Sequence, residues 1–216
     1  MNRFLQSVLN VFRGGLRAFL RYPASMFCAL VIAVTASIRL ALDGDADFET
    51  LLICIQWAAL FGGALGMAAT ALSSARRRAG TWMAIGNGVA LLLAAGLAVW
   101  LYFGYDTLPT LVTSRVVAGA VLGFLLFQMI LSRRDMDIEY GEIWFVTLRS
   151  FFIAAIYTAV LIGGLSFIVF AIENLLLDKL DEEVYAHVAV WSSFAGYAFF
   201  LGYLPDFSPE DPGDRL

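Results

Sequence analysis

Three ionisable residues lie within a turn or two of the same predicted membrane face: Arg115, Glu173 and His187. A charged side chain inside lipid costs about 2.5–3.5 kcal/mol on insertion scales, and a partner of opposite charge lowers that cost. One interpretation is that Glu173 pairs with Arg115 or His187 in a polar vestibule that faces outward. The alternative is that each side chain reaches water independently.

Uncharged polar residues form a second candidate set inside the apolar segments. They are Gln56, Asn87, Gln128 and Tyr157. Such groups commonly hydrogen-bond between transmembrane helices, with each contact contributing about 0.6–2 kcal/mol. The sequence predicts this packing role, and the alternative is that they line a polar path through the membrane.

Motifs of enzyme chemistry are missing from the sequence. It contains no Gly-Lys-Ser/Thr phosphate loop, no His-Glu-x-x-His, no Gly-x-Ser-x-Gly and no Cys-x-x-Cys. A single histidine cannot build a histidine-rich metal site. We therefore expect a protein that is not an enzyme, with no catalytic, metal or cofactor site.

Composition defines the elements that hold these residues. Hydrophobic residues make up 61% of the 216 positions and charged residues 15%, a balance that indicates a membrane interior rather than a soluble core. The sequence predicts an all-α, polytopic bundle over residues 23–204, followed by a polar, disordered tail over 205–216. The six predicted spans are 24–42, 51–72, 81–103, 110–131, 145–172 and 184–204.

The segment before the first span, residues 1–22, has a basic stripe at helical spacing. The stripe consists of Arg3, Gln6, Asn10, Arg13, Arg17 and Arg21. This pattern predicts an amphipathic helix in the membrane interface, with Arg3, Arg13, Arg17 and Arg21 against anionic lipid headgroups. The alternative is a basic flank that only sets the orientation of the first span.

Basic residues are strongly segregated between the two faces. Eleven of the fourteen Lys and Arg residues fall on the side of the N-terminus, and only Arg39, Arg115 and Lys179 fall on the other. An even number of spans requires both termini on the same face, and the positive-inside rule predicts that this face is cytoplasmic.

Small residues recur every fourth position in spans two to five. Examples are Gly62 and Gly66 in span two, Ala90 and Ala94 in span three, and Ala155, Ala159 and Gly163 in span five. Small residues let helix backbones approach closely in lipid. The pattern predicts that spans two to five form a tight bundle, and a homodimer that uses the same stripes is the alternative.

Three short segments carry a family resemblance. They are Arg21-Tyr22-Pro23, the run from Gly163 to Glu173, and Phe200-Leu201-Gly202-Tyr203-Leu204-Pro205. Their arrangement resembles the bacterial integral-membrane family called domain of unknown function 4153. This chain matches the N-terminal part of longer members, or is a short member. The resemblance implies a multi-pass protein of the bacterial inner membrane, and it carries no activity or catalytic residues.

Two functions fit these patterns. The first is a non-enzymatic accessory, scaffold or assembly component, whose partner is another membrane protein or a second copy of the chain. The second is a small transporter or channel with a polar path between the helices. Both place the protein in contact with the bilayer and its anionic headgroups, and neither predicts a nucleic-acid partner.

Overall fold

The computed structural model describes residues 18–42, 46–74, 79–105, 108–134, 140–176 and 183–204, which are almost entirely helical and contain no strand. They form six helices, each long and apolar enough to cross a membrane. These are α1 (Pro23–Leu40), α2 (Ala46–Ser74), α3 (Ala79–Gly104), α4 (Thr110–Arg134), α5 (Tyr140–Leu176) and α6 (Glu183–Tyr203). The predicted all-helical class with six apolar helices is confirmed. Each helix end lies within five residues of the corresponding predicted span end.

Helix starts follow from local chemistry. Pro23 occupies the first turn of α1, where its missing N–H costs nothing and its fixed φ angle suits a helix. Acidic residues stand in the first turns of α2, α5 and α6, where a negative charge interacts favourably with the helix dipole. Residues 1–17, with most of the predicted amphipathic helix, lie outside the described residues, as does the tail 205–216.

Helix α2 is the centre of the bundle and packs against α1, α3 and α4. Its seam with α3 is antiparallel and built on small residues. A methyl group added at Gly62 would lie 2.5 Å from Ala94 Cβ, and one added at Gly86 would lie 3.4 Å from Ala69 Cβ. Close approach therefore depends on these glycines, and the predicted packing of spans two and three is confirmed.

Helix α4 runs parallel to α2 and uses glycines in the same way. A methyl group at Gly123 would lie 3.2 Å from Ala64 Cβ, and one at Gly119 would lie 2.9 Å from the Phe61 ring. Helix α1 packs on another side of α2, where a methyl group at Gly66 would lie 3.0 Å from Ala24 Cβ. The glycines of these seams are thus packed against helices of the same chain; they are Gly62, Gly66, Gly86, Gly119 and Gly123.

Helices α5 and α6 form an antiparallel hairpin. A methyl group at Gly196 of α6 would overlap the side chain of Thr158 on α5. The small residues of α5 named above face away from this contact: Ala155, Ala159 and Gly163 are exposed, and no atom lies within 4 Å of a methyl group built at Gly163. The prediction that α5 adds this stripe to a tight bundle is wrong, because α5 touches α6 along its length but α4 only locally.

The two ends of the bundle are packed differently. At the end that holds Arg21, hereafter the Arg21 end, α1, α2, α4, α5 and α6 share one hydrophobic cluster. Its buried residues are Ala18, Tyr22, Met26, Met67, Ala68, Ala71, Phe127, Leu131, Ile143, Ala198, Leu201 and Leu204. At the opposite end, the Arg39 end, a smaller cluster joins only α2, α3 and α4. Its buried residues are Cys54, Leu101, Val112 and Val116. The α5–α6 hairpin is therefore held mainly at the Arg21 end.

Candidate functional site

The three ionisable residues that could form a vestibule are placed on separate helices. Glu173 is half-buried, and its Oε2 accepts a hydrogen bond of 2.9 Å from the Tyr185 hydroxyl. Arg115 is exposed on α4, and His187 is half-buried on α6. Among the described residues no ion pair or hydrogen bond joins Glu173 to Arg115 or His187. The contacts of α4 with α5, Gln128 with Thr147 and Phe124 with Trp144, lie towards the Arg21 end. Arg115 and Glu173 lie towards the Arg39 end.

The buried amides pair across helix seams. Asn87 on α3 exchanges hydrogen-bond contacts of 3.3 Å with the Thr70 hydroxyl on α2, and its Nδ2 also donates to the Met83 carbonyl at 2.8 Å. Thr147 on α5 donates to Gln128 Oε1 on α4 at 3.3 Å, while Gln128 Nε2 is buried without a partner. Asn87 and Gln128 thus each contact a neighbouring helix, as the predicted packing role requires.

The other two predicted polar residues also contact neighbouring helices. Gln56 Oε1 accepts from Arg39 Nη1 at 3.3 Å, and Arg39 Nε lies 3.5 Å from Glu49 Oε1. This small cluster joins the end of α1 to the start of α2. Tyr157 on α5 stacks on Tyr203 of α6, with ring centroids 6.2 Å apart and the rings nearly parallel.

Two of the segments that carry the family resemblance meet at the Arg21 end. Arg21 Nη1 donates to the Leu204 carbonyl at 2.7 Å, and its guanidinium carbon lies 5.3 Å from the centroid of the Tyr22 ring. Ser150 donates to the neighbouring Tyr203 carbonyl at 3.1 Å. The last carbonyls of a helix have no intrahelical partner and carry partial negative charge. Arg21 thus caps α6, and its contact with headgroups stays a prediction. Arg3, Arg13 and Arg17 lie outside the described residues.

A cleft of about 690 Å³ opens among α1, α2, α4 and α6. Its surface is almost wholly apolar, and much of it comes from small residues such as Ala29, Ala33, Ala64, Ala120 and Ala189.

One polar cluster lies at the boundary of this cleft. The Ser25 and Tyr197 hydroxyls lie 2.5 Å apart, and Tyr197 also donates to Met67 Sδ at 3.8 Å.

Sequence reasoning missed the cleft, the Ser25–Tyr197 pair and the Tyr185 partner of Glu173. Ser25 and Tyr197 are separated by 172 positions, and no periodicity in one helix reports a contact with another. Each lining stripe does repeat at helical spacing, for example Ala29, Ala33 and Ala36 on α1. That spacing, however, is shared by small residues that pack directly.

Within the described ranges, no group of three or more His, Cys, Asp or Glu residues is placed to hold a metal ion. Cys28 and Cys54 are buried, free thiols. No family model, curated protein or solved structure matches this chain. The fold and the contacts above therefore carry the functional argument: they define a multi-pass helical membrane protein.

Proposed function

We propose that the protein is a non-enzymatic accessory, scaffold or assembly component of a membrane, and that the free face of α5 receives a transmembrane helix of its partner. The observation that carries this proposal is the exposure of α5. Only 6% of its most apolar segment is buried, against 56% for α2, although α5 has the highest mean hydropathy of the six helices.

Any helix that faces lipid is exposed in this way. The residue types on the exposed face of α5 therefore decide between a partner helix and lipid. Ala155, Ala159 and Gly163 are successive members of one exposed stripe, and a methyl group at the adjacent Gly164 also meets no atom within 4 Å. Glycine in a helix interior costs up to about 1 kcal/mol relative to alanine. Close contact with another helix offsets such a cost in lipid, whereas contact with acyl chains favours larger side chains.

The interior of the bundle supports a packing role over a polar path. Asn87 and Gln128 are 5% and 0% exposed, and each is hydrogen-bonded to a threonine of a neighbouring helix. The large cleft is apolar. These features favour an assembly component over a transporter or channel, which requires polar groups along a water-accessible route.

The proposed setting is the bacterial inner membrane, with both termini in the cytoplasm and the chain related to domain of unknown function 4153. Segregation of basic residues supports the orientation. The relationship is proposed from the three resembling segments of the sequence. Anionic headgroups are the proposed partners of the basic N-terminal segment.

The test of the assembly role is a double variant, Ala159→Leu with Gly163→Leu, that fills the exposed stripe of α5. We expect the wild type, gently extracted from native membranes, to retain a stoichiometric partner chain or a second copy, and we expect the double variant to lose it. Size analysis with mass spectrometry of the purified particle measures both.

The matched control is Ile156→Leu with Val160→Leu, two positions that are exposed on the same helix and already carry large side chains. This control keeps the complex if small residues are what the partner requires. A wild-type chain that purifies alone as a monomer would contradict the assembly role.

A further inference from the structure

The cleft among α1, α2, α4 and α6 lies at the depth of the hydrocarbon core. It follows α1 from Ser25 to Ala36, a rise of about 17 Å, and it uses the middle turns of the other three helices. The large cluster at the Arg21 end closes its floor, where Phe127 of α4 and Leu201 of α6 belong to the same core. Towards the Arg39 end, α6 takes no part in the second cluster, so α4 and α6 flank the opening.

The size of the cleft selects its occupant. A helix about 10 Å wide over this length fills on the order of 1,300 Å³, nearly twice the 690 Å³ present. A cavity of about 150 Å³ holds one benzene molecule. On that scale the cleft holds on the order of 25 carbon atoms, which is enough for one acyl chain of common length and too little for a helix.

The chemistry of the lining points the same way. The walls are mostly alanine with valine, leucine, isoleucine and phenylalanine. The polar side chains are Ser25 and Tyr197, which contact each other, and Ser193. An apolar surface at this depth binds hydrocarbon and does not hold water, which needs several polar partners. We propose that this cleft binds one acyl chain of a phospholipid, whose phosphate lies at the Arg39 end.

The described charges at the Arg39 end are mixed, with two cations, Arg39 and Arg115, and four acids, Asp47, Glu49, Glu173 and Glu183. Among them, Arg39 is the group that supports a phospholipid over an uncharged lipid. Arg39 lies three residues beyond the lining residue Ala36, and His187 lies three residues before the lining residue Val190. Residues three apart share a helix face, so both polar groups continue the walls of the cleft. Arg39 is 42% exposed beside Glu49. A guanidinium has five N–H donors, which leaves donors for a phosphate after its contacts with Glu49 and Gln56.

A photoreactive phospholipid tests the proposal. The full chain is reconstituted in vesicles of phosphatidylethanolamine and phosphatidylglycerol that contain phosphatidylglycerol with a diazirine near the end of one acyl chain. Detergent extraction and washing remove bulk lipid before illumination, and peptide mass spectrometry then locates the label. We expect label on cleft residues such as Ile32, Leu60, Val121 and Val190, and none on exposed α5 residues such as Val160.

Variants separate the cleft from the surface. Ala29→Phe with Ala189→Phe fills the cleft and is expected to abolish the retained label, whereas Ile156→Phe adds the same side chain on exposed α5, outside the small-residue stripe, and leaves the label unchanged. Arg39→Gln keeps the cleft and is expected to reduce the label by weakening the phosphate contact. If the filled variant does not fold, the positions of the label in the wild type and the amount of label in Arg39→Gln still test the proposal.

Three outcomes would overturn the proposal. Label distributed equally over α5 and the cleft would mean bulk lipid. Absence of retained lipid in the wild type after washing would mean that the cleft has no resident chain. Full retention of the label in Ala29→Phe with Ala189→Phe would mean that the retained lipid binds outside the cleft.

Discussion

Arg21 shows how one side chain secures the end of a helix in lipid. The carbonyls at the end of α6 are left without intrahelical partners, and two of them are satisfied by Arg21 and Ser150. A charge-assisted hydrogen bond is stronger than a neutral one, and a positive group at a helix C-terminus also interacts favourably with the dipole. Arg21 thereby joins the segment before α1 to the last turn of α6.

The first prediction is that Arg21→Met destabilises the folded protein. Loss of a hydrogen bond to a charged group costs about 1.5–3 kcal/mol, so the midpoint of thermal unfolding in detergent should fall. Arg149→Met, on an exposed position of α5, removes the same kind of side chain and should change stability by less than about 0.5 kcal/mol. Equal midpoints for the two variants would show that the α6 contact contributes nothing.

At the scale of elements, close contact between α2 and α3 sets the geometry of the bundle. Gly62, Ala90 and Ala94 lie in this seam, where Gly62 also approaches Cys28 Sγ of α1. Since three helices meet at this point, an added methyl group has no direction in which to move away. The seam also holds the Thr70–Asn87 contact in register.

The second prediction compares two glycine substitutions. Gly62→Ala forces the seam apart and should cost about 1–3 kcal/mol, as overpacking typically does. Gly96→Ala, at a position on α3 where no atom lies within 4 Å of the new methyl group, should be neutral or stabilise by up to about 1 kcal/mol through helix propensity. Thermal unfolding of both variants measures the difference. If Gly62→Ala stabilised the protein, it would contradict the close packing of α2 against α3 at this position.

At the scale of the whole molecule, six helices that alternate in direction along the chain place Arg21, Arg134, the start of α5 and Leu204 towards one face. Arg39, Tyr105 and the end of α5 lie towards the other. The first face is the basic one in the sequence, which sets the proposed orientation.

The third prediction is that the two faces of the bundle lie in opposite compartments of the cell. A reporter that is active only in the cytoplasm should function when fused after Leu216, and the same reporter inserted between Leu42 and Ala46 should not. The insertion between α1 and α2 serves as the matched control for expression and membrane insertion. A reversed pattern would contradict the cytoplasmic placement of the termini.

The sequence patterns predicted the helices but not most of the contacts between them. Apolar runs and charged breaks give six helices because the bilayer imposes their length. Asn87 and Gln128 could be assigned to interhelical contacts, since a polar amide in lipid needs a partner. The partner of Glu173 and the free face of α5 could not be predicted, because small residues at every fourth position look the same whether they face a sister helix or the bilayer.

The length of α5 has a consequence for its position in the membrane. Its 37 residues rise about 55 Å, whereas the hydrocarbon core is about 30 Å thick. The 23 residues between Arg149 and Glu173 rise about 35 Å and match that thickness with a modest tilt. The first ten residues, from Tyr140 to Arg149, are held against α4, because Ile143 is 1% exposed in the large hydrophobic cluster and Thr147 contacts Gln128. With this end fixed, α5 accommodates its extra length by tilting, which moves its other end away from α4.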